Sequence, residues 1–434
     1  MRSPHLSWRR LGLLASLYMC QGLPFGFFTQ ALPVLLRKQG ISLEGIGLAS
    51  LLALPWALKF LWAPLVDRFF FPRLGRRRSW ILPLQGLTIA ALGLLALRDP
   101  GEGLSSVLAA VLIVNLLSAT QDIATDGLAV DLLAPGERGL ANGIQVAGYR
   151  AGMIVGGGAL LVLFDRLGWG LTFALMALSI ALLSIPTLLA REAACGREGA
   201  RSSSVVAIAT SFWKRPHARQ VLALIVVYKL GDAFAVGMLR PFLTDLGLSL
   251  ADIGWLLGAV GFVAGLLGAL AGGALVLRLV RRSSLVGFAV LQAASVLGYA
   301  YAARAEAGVP LLAALCAFEH FAGGMATAAL FTCMMDWTDR ESAATDYTLQ
   351  ASAMVIATGV ASAASGFSAG RLGYPLHFSL AAVLAALSPV LAYLLFPSAR
   401  LPAKLALEEA SQGQSDKHPA QAPCLTDRCT RRGR

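Results

Sequence analysis

GWLLGAVGFVAGLLGALAGGALVL, from Gly254 to Leu277, runs for 24 residues without a charged side chain. A helix rises about 1.5 Å per residue, so about 20 such residues cross the roughly 30 Å of a bilayer's hydrocarbon. The stretch is long enough to span a membrane, and it is one of twelve. The apolar runs cover 11 to 36, 44 to 66, 79 to 97, 105 to 132, 139 to 164, 168 to 190, 219 to 243, 250 to 277, 284 to 303, 309 to 335, 346 to 370 and 375 to 396. With 57% hydrophobic and 14% charged residues, a soluble globule of 434 residues is a poor alternative. Runs this long without strict alternation also exclude a β-barrel. The expectation is an all-α membrane protein with twelve transmembrane helices.

Arg9 and Arg10 precede the first run in the manner of a signal peptide. The run is too long for one, carries Gln21 and Pro24, and has no small-x-small site before a polar start, so it reads as a retained helix.

The formal charge is +12, and the position of the basic residues explains it. Loops and tails on the side of the N-terminus hold 26 Lys and Arg, against 6 in the alternate loops (Arg37, Lys38, Arg98, Arg166, Arg304 and Arg371). That bias places both termini in the cytoplasm. The basicity reports topology in a lipid bilayer, and no nucleic-acid partner is expected. Cys20, Cys316 and Cys333 fall within spans and Cys195, Cys424 and Cys429 on the cytoplasmic side, which argues against a disulfide framework. No metal-ligand spacing is present, so neither metal nor cofactor is expected.

The polar stretch 191–218 separates six spans from six, giving a cytoplasmic N-terminus (1–10), two halves (11–190 and 219–396) and a polar, disordered cytoplasmic tail (397–434). The halves read as pseudo-repeats. Gly40-Ile41-Ser42-Leu43-Glu44-Gly45-Ile46-Gly47 recurs as Gly247-Leu248-Ser249-Leu250-Ala251-Asp252-Ile253-Gly254, and Asp131 with Glu137-Arg138 matches Asp336 with Asp339-Arg340. Parallel six-helix repeats are a transporter architecture with a solute site between the halves. Small residues predict the seam. Gly254, Gly258, Gly261, Gly265, Gly268 and Gly272 form one stripe on span eight, and Gly148, Gly152 and Gly156 one on span five. Such faces let backbones approach closely. The expectation is that spans five and eight meet across the halves, and that spans two (Gly45, Gly47, Ala49, Ser50, Ala53) and eleven (Ala361, Ala364, Gly366, Gly370) do the same.

Lys59, Asp122, Asp126, Arg150, Lys229, Asp232 and Glu319 lie well inside spans. Each would cost about 2.5 to 3.5 kcal/mol at the bilayer centre, so they pair, neutralise or face water. Lys59, Asp122 and Arg150 sit at similar depths, roughly 12 to 18 Å from the cytoplasmic ends. Asp122 and Asp126 share a helix face. They are either proton carriers or partners of Lys59 or Arg150 in fixed ion pairs. Arg150 is either an anion-binding group of the solute site or the partner of Asp122. Lys229 and Asp232 neutralise each other or contact solute. Glu319, beside His320, is a further titrating candidate.

The run Lys59-Phe60-Leu61-Trp62-Ala63-Pro64-Leu65-Val66-Asp67-Arg68, followed by Gly75-Arg76-Arg77-Arg78, resembles the loop signature of the major facilitator superfamily. That resemblance implies a cytoplasmic gate at Asp67, Arg68, Gly75, Arg76 and Arg77, with Arg278, Arg281 and Arg282 as a degenerate counterpart. Gln21-Gly22-Leu23-Pro24, Gln121-Asp122-Ile123-Ala124-Thr125-Asp126-Gly127, Glu137-Arg138-Gly139, Gly148-Tyr149-Arg150, Tyr228-Lys229-Leu230-Gly231-Asp232-Ala233-Phe234 and Gly323-Gly324-Met325 resemble the AmpG-type muropeptide permeases and the related acetyl-coenzyme A transporters. Leu32 to Arg37 also resembles an orphan vertebrate-type member of that branch. The resemblance implies alternating-access, proton-coupled symport of an anionic sugar- or nucleotide-containing solute by a monomer in a bacterial inner membrane. The candidate solute contacts are Gln21, Lys59, Gln121, Tyr149, Arg150, Lys229 and Asp232, and the candidate proton sites, read from their place inside the spans, are Asp122, Asp126 and Glu319. Many AmpG-type permeases carry two additional C-terminal helices, whereas the chain here turns polar after Ser398. Two other classes fit less well. Asp122, Asp126 and Asp131 are spaced unlike a paired diphosphate-binding metal site of an intramembrane enzyme, and no filter loop of a channel is visible. A non-transporting sensor on the same scaffold is the remaining alternative.

Overall fold

The computed structural model describes residues 8–38, 49–97, 104–190, 192, 204–305 and 307–397. The first copy of the repeated segment (40–47), Cys195 with most of the linker, Arg98, and the tail with Cys424 and Cys429 lie outside the described residues. Among the described residues there is no strand, and ten helices are long and apolar enough to cross a membrane.

In chain order the helices are α1 (Trp8–Leu36), α2 (Leu51–Leu61), α3 (Ala63–Arg68), α4 (Arg78–Ala96), α5 (Ser105–Leu132), α6 (Arg138–Phe164), α7 (Arg166–Leu189), α8 (Val205–Lys214), α9 (Ala218–Asp245), α10 (Gly254–Val276), α11 (Arg281–Ala302), α12 (Val309–Asp336) and α13 (Ala343–Leu395). Two expected spans are broken. The described part of the second divides at Trp62 (φ −113°, ψ 0°), because Pro64 begins a new helix and cannot continue the old one. The seventh divides at Lys229 and at Met238 (φ −107°, ψ 4°). Pro241 explains the second break, since its ring would strike the carbonyl of Gly237 four residues earlier. In contrast, α13 is 53 residues long, about 80 Å at 1.5 Å per residue, far beyond one crossing. It turns at Gly373 (φ 71°, ψ 164°), in the gap between the two expected last spans.

Apolar packing is unequal along the molecule. At the end carrying the basic loops, one cluster joins Leu11, Leu14 and Tyr18 of α1 to Leu224, Val276, Leu330 and Tyr347 of later helices. A second joins Leu13, Leu17 and Val66 to Ala344. At the far end the core splits into a cluster from the early helices (Phe27, Leu92, Phe173) and a separate one from the late helices (Leu239, Tyr299, Phe378). Helices α6 and α10 do meet, but of the expected glycines only Gly265 takes part, against the Arg150 side chain, and the backbones approach through others. A Cβ on Gly143 would lie 2.7 Å from the Ala269 carbonyl oxygen, and one on Gly273 would lie 2.5 Å from that of Gly139. Gly148, Gly152 and Gly156 instead face α1, where a Cβ on Gly156 would sit 1.9 Å from the Leu23 carbonyl oxygen. Gly268 and Gly272 face Phe321 and Met325 of α12, Gly261 faces His320, and Gly254 and Gly258 have no neighbour at Cβ distance. Span two meets α13 at its start, where Ala344 packs with Ala63 and Val66.

The φ/ψ pair of Gly373 is open only to glycine. Gly373→Ala is therefore expected to destabilise the protein by about 1 to 3 kcal/mol, read as a lower Tm in detergent.

Candidate functional site

A cavity of about 820 Å³ opens between early and late helices, bordered by Trp56 and Ile154 on one side and by Ile253 and Leu257 on the other. Its walls include Gln30, Ile154, Arg240 and Gly254, and deeper in it reaches Tyr18, Gln145 and Tyr347. Three charged groups on its early-helix side are packed together. The break in α2 sets Lys59 at the end of one helical piece, where its Nζ bonds Asp122 and lies 3.9 Å from Asp126 Oδ2. Tyr18 donates its hydroxyl to Asp126 Oδ1 at 2.9 Å. Lys59, Asp122 and Asp126 are each less than a tenth exposed. One ammonium thus stands between two carboxylates, and a single proton on either acid would neutralise the group.

Arg150 is the fourth expected charge at this depth, and it does not join them. Its guanidinium lines the cavity and reaches Gly265 of α10, with Nη1 2.0 Å from where a Cβ would be. No hydrogen bond or ion pair within the described residues engages it. Glycine at 265 therefore makes room for a cation that leans across from α6. Tyr149, also in the wall, packs its ring 5.6 Å from that of Phe25.

Other expected solute contacts lie behind the walls. Gln21 is 1% exposed and neither of its amide atoms has a partner among the described residues. Gln121 Nε2 is 4.0 Å from Cys20 Sγ. Lys229 Nζ pairs with Asp232 Oδ2 at 2.9 Å, and Glu319 Oε2 lies 2.6 Å from His320 Nδ1. Of these four residues only His320 borders the cavity.

The basic end is closed by a buried carboxylate. Asp67 is 1% exposed and accepts from Arg77 Nη1 (2.7 Å), Arg76 Nη2 (3.0 Å), the Thr345 amide (2.7 Å) and the Thr345 hydroxyl (2.7 Å). Arg76 Nη2 also donates to the Glu341 carbonyl at 2.6 Å. Gly75 (φ 95°) turns the chain so that the Glu192 carboxylate accepts from the amides of Arg77 and Arg78. Arg68 departs from the expected gate and rests on the Phe69 ring. Further contacts cross the same end: Arg138 Nη1 donates to Asp336 Oδ1 at 2.8 Å, and Arg281 Nη2 to the Pro135 carbonyl at 2.7 Å. One contact occurs twice. Arg77 Nε donates to Asp131 Oδ2 and Arg281 Nε to Asp336 Oδ2, each at 2.8 Å. Sequence matching paired the two aspartates and the two arginine clusters, but Tyr18, Thr345 and Tyr347 carried no comparable signal.

Two family models match: "Acetyl-coenzyme A transporter 1" over residues 10–99 and "Major Facilitator Superfamily" over 221–428. The chain is 34% identical over 344 residues to the anhydromuropeptide permease of Escherichia coli K12, covering 78% of this chain and 70% of that protein. It is 30% identical over 390 residues to an uncharacterized protein of Haemophilus influenzae, covering 87% and 92%. Among solved structures it resembles the major facilitator superfamily transporter FucP in the outward conformation, with TM-score 0.68, 14% identity, and 89% and 98% coverage.

Burial alone would raise the Asp67 pKa, but the Arg77 and Arg76 guanidiniums and the Thr345 bonds hold it below the ordinary carboxylate value. A depressed pKa means that the closed end is favoured while Asp67 is ionised and weakens only as pH falls through that lowered value. A cysteine placed at buried Ala343 should therefore label slowly from about pH 8 to 5. Asp67→Asn removes one partner of a buried pair, at about 3 kcal/mol, and should speed that labelling about 100-fold.

Proposed function

The chain belongs to the major facilitator superfamily, in the branch of the anhydromuropeptide permeases, and on that premise we propose that it is a proton-coupled symporter of an anionic, sugar-containing solute. The observation that carries this reading is Arg150, a cation with no hydrogen bond or ion pair among the described residues that borders a cavity large enough for a small molecule. A guanidinium taken out of water attracts a carboxylate or phosphate in a bidentate way. Beside it, Lys59, Asp122 and Asp126 form a group one proton short of neutrality. A proton that loads Asp122 or Asp126 weakens the hold on Lys59, so proton and solute would bind in one linked step. Twelve crossings in two six-helix halves would rock about this cavity, and the positive-inside bias supports the sealed end as the cytoplasmic one. In this reading the protein is a monomer of a bacterial inner membrane with Asp67, Gly75, Arg76 and Arg77 as its inner gate.

A second solute class, acetyl-coenzyme A, is favoured by the match over residues 10–99. Uptake into proteoliposomes of labelled anhydromuropeptide and of labelled acetyl-coenzyme A, with and without an inside-alkaline gradient, separates the two. Gradient-dependent accumulation of the muropeptide supports the first reading. Accumulation of acetyl-coenzyme A alone replaces it, and uptake indifferent to the gradient removes proton coupling.

Two variants test the roles. Arg150→Ala should weaken apparent affinity about 10- to 100-fold, the equivalent of about 1.5 to 3 kcal/mol for a charged hydrogen-bonded contact, and Arg150→Lys should recover only part, because an ammonium lacks the planar fork. Asp122→Asn, with Lys59 then left nearer to Asp126 alone, should bind solute yet lose accumulation against its gradient.

A further inference from the structure

Arg150 is not alone in the cavity. Arg240 borders it from α9, on the late-helix side, and is exposed there. An arginine near the end of a span ordinarily reaches along apolar surface to the membrane interface. Here the break at Met238 sets off the short piece Leu239–Asp245, whose Leu239 and Leu243 pack with Ile253 in the late-helix cluster. Arg240 is left at the edge of that packing, on the cavity. Its carbonyl accepts from the Thr244 hydroxyl at 3.0 Å, and no hydrogen bond or ion pair among the described residues engages its side chain.

The two arginines stand at different depths. Asp245 and Leu250 end and begin neighbouring helical runs, and the turn between them is closed by the Leu248 amide donating to the Leu243 carbonyl, so the two residues share one level. Gly265, which the Arg150 guanidinium reaches, lies 15 residues beyond Leu250, or about 22 Å inward at 1.5 Å per residue. Arg240 lies 5 residues before Asp245, or about 8 Å inward. About 14 Å of depth therefore separates the Arg150 guanidinium from the backbone of Arg240. Between those levels the cavity wall is apolar, with Leu257 and Phe262 on α10 and Met153 and Ile154 on α6.

The charges agree with the spacing. Among the described residues that border the cavity, Lys59, Arg150 and Arg240 stand against Asp122 and Asp126, which leaves one positive charge with His320 neutral. A proton on either aspartate raises that to two. A dianion that enters with one proton then leaves the cavity neutral, as a site partly removed from water requires.

We propose that Arg240 is the outer half of a two-point anion site, and that the solute carries two anionic groups on an elongated spacer, the inner one held by Arg150 and the outer one by Arg240. This rests on Arg150 as a solute contact and adds the second contact, the second charge and the distance between them. The spacer lies along Leu257, Phe262, Met153 and Ile154, so it is apolar or presents the flat face of a ring.

Dicarboxylates of graded length test the site without knowledge of the natural solute. Binding of dodecanedioate, whose extended chain approaches the spacing of the arginines, is compared by calorimetry with binding of the shorter adipate and of 12-hydroxydodecanoate, which has one charge. The full chain is used, in detergent without added phospholipid. Dodecanedioate should bind about 10-fold more tightly than either, the gain expected of one further charged contact. Arg240→Gln should bring the ratio of dodecanedioate to 12-hydroxydodecanoate affinity close to one, and Arg240→Lys should restore part of it. Arg240 has no partner to lose, so these variants should elute and unfold as the parent protein does, by size exclusion and thermal unfolding. Arg150→Gln should weaken both ligands. Equal binding of dodecanedioate and 12-hydroxydodecanoate overturns the proposal, as does a ratio that survives Arg240→Gln. A ratio that survives while added phosphatidylglycerol stabilises the parent protein more than Arg240→Gln assigns Arg240 to a lipid phosphate instead. Binding that ignores Arg150→Gln removes Arg150 as a solute contact and this site with it, whereas binding that needs Arg150 but gains nothing from the second carboxylate removes the two-point site alone.

Discussion

A charge removed from water must find an opposite charge or keep a route back to water, and nearly every functional feature of this molecule follows from how each buried charge meets that requirement. Lys59 meets it with two carboxylates, Asp67 with two guanidiniums and Thr345, and Arg77 with Asp67 and Asp131. Arg150 is different in kind. No hydrogen bond or ion pair among the described residues engages it; it borders the cavity and feels Glu319 and Asp232 only at longer range, so the cavity is part of the condition under which that residue is tolerated.

The membrane character was legible because hydropathy is summed over long windows and survives local error. Breaks within spans were half legible. Pro64 and Pro241 mark two of them, whereas the break at Lys229 has no proline behind it and follows from tertiary packing, with Gly231 pressed against the backbone of Ala385. Most residues of the small-residue stripes do pack closely, Gly254 and Gly258 excepted, but spacing along one helix does not name its partner. Gly148, Gly152 and Gly156 lie against α1, whose Gly22 and Gly26 supply the complementary surface, while the α6 and α10 contact falls on Gly139, Gly143 and Gly273.

Charges inside spans stood out, and uncharged polar residues did not. Gln292 sits in an apolar run whose mean hydropathy barely registers it, and only its convergence with Lys229 of α9 and Glu319 of α12 beside Gly323 makes it notable. The same limit hid Thr345. Its bond to Asp67 joins positions 278 residues apart, and nothing local to either predicts the other. Depth counting placed Lys59, Asp122 and Arg150 at one level, but it could not tell that only two of them would pair.

The core is continuous between early and late helices at the basic end and divided at the far end. On the transport reading, closure of the far end would draw on contacts made by a bound solute, because no continuous apolar cluster joins the two sides there. On that reading, a solute long enough to touch both walls of the cavity, Trp56 and Ile154 on one side and Ile253 and Leu257 on the other, would bridge the early and late helices. A shorter one that satisfies Arg150 alone fills the site without bridging it. Length, separate from charge, is then what distinguishes a cargo from a blocker.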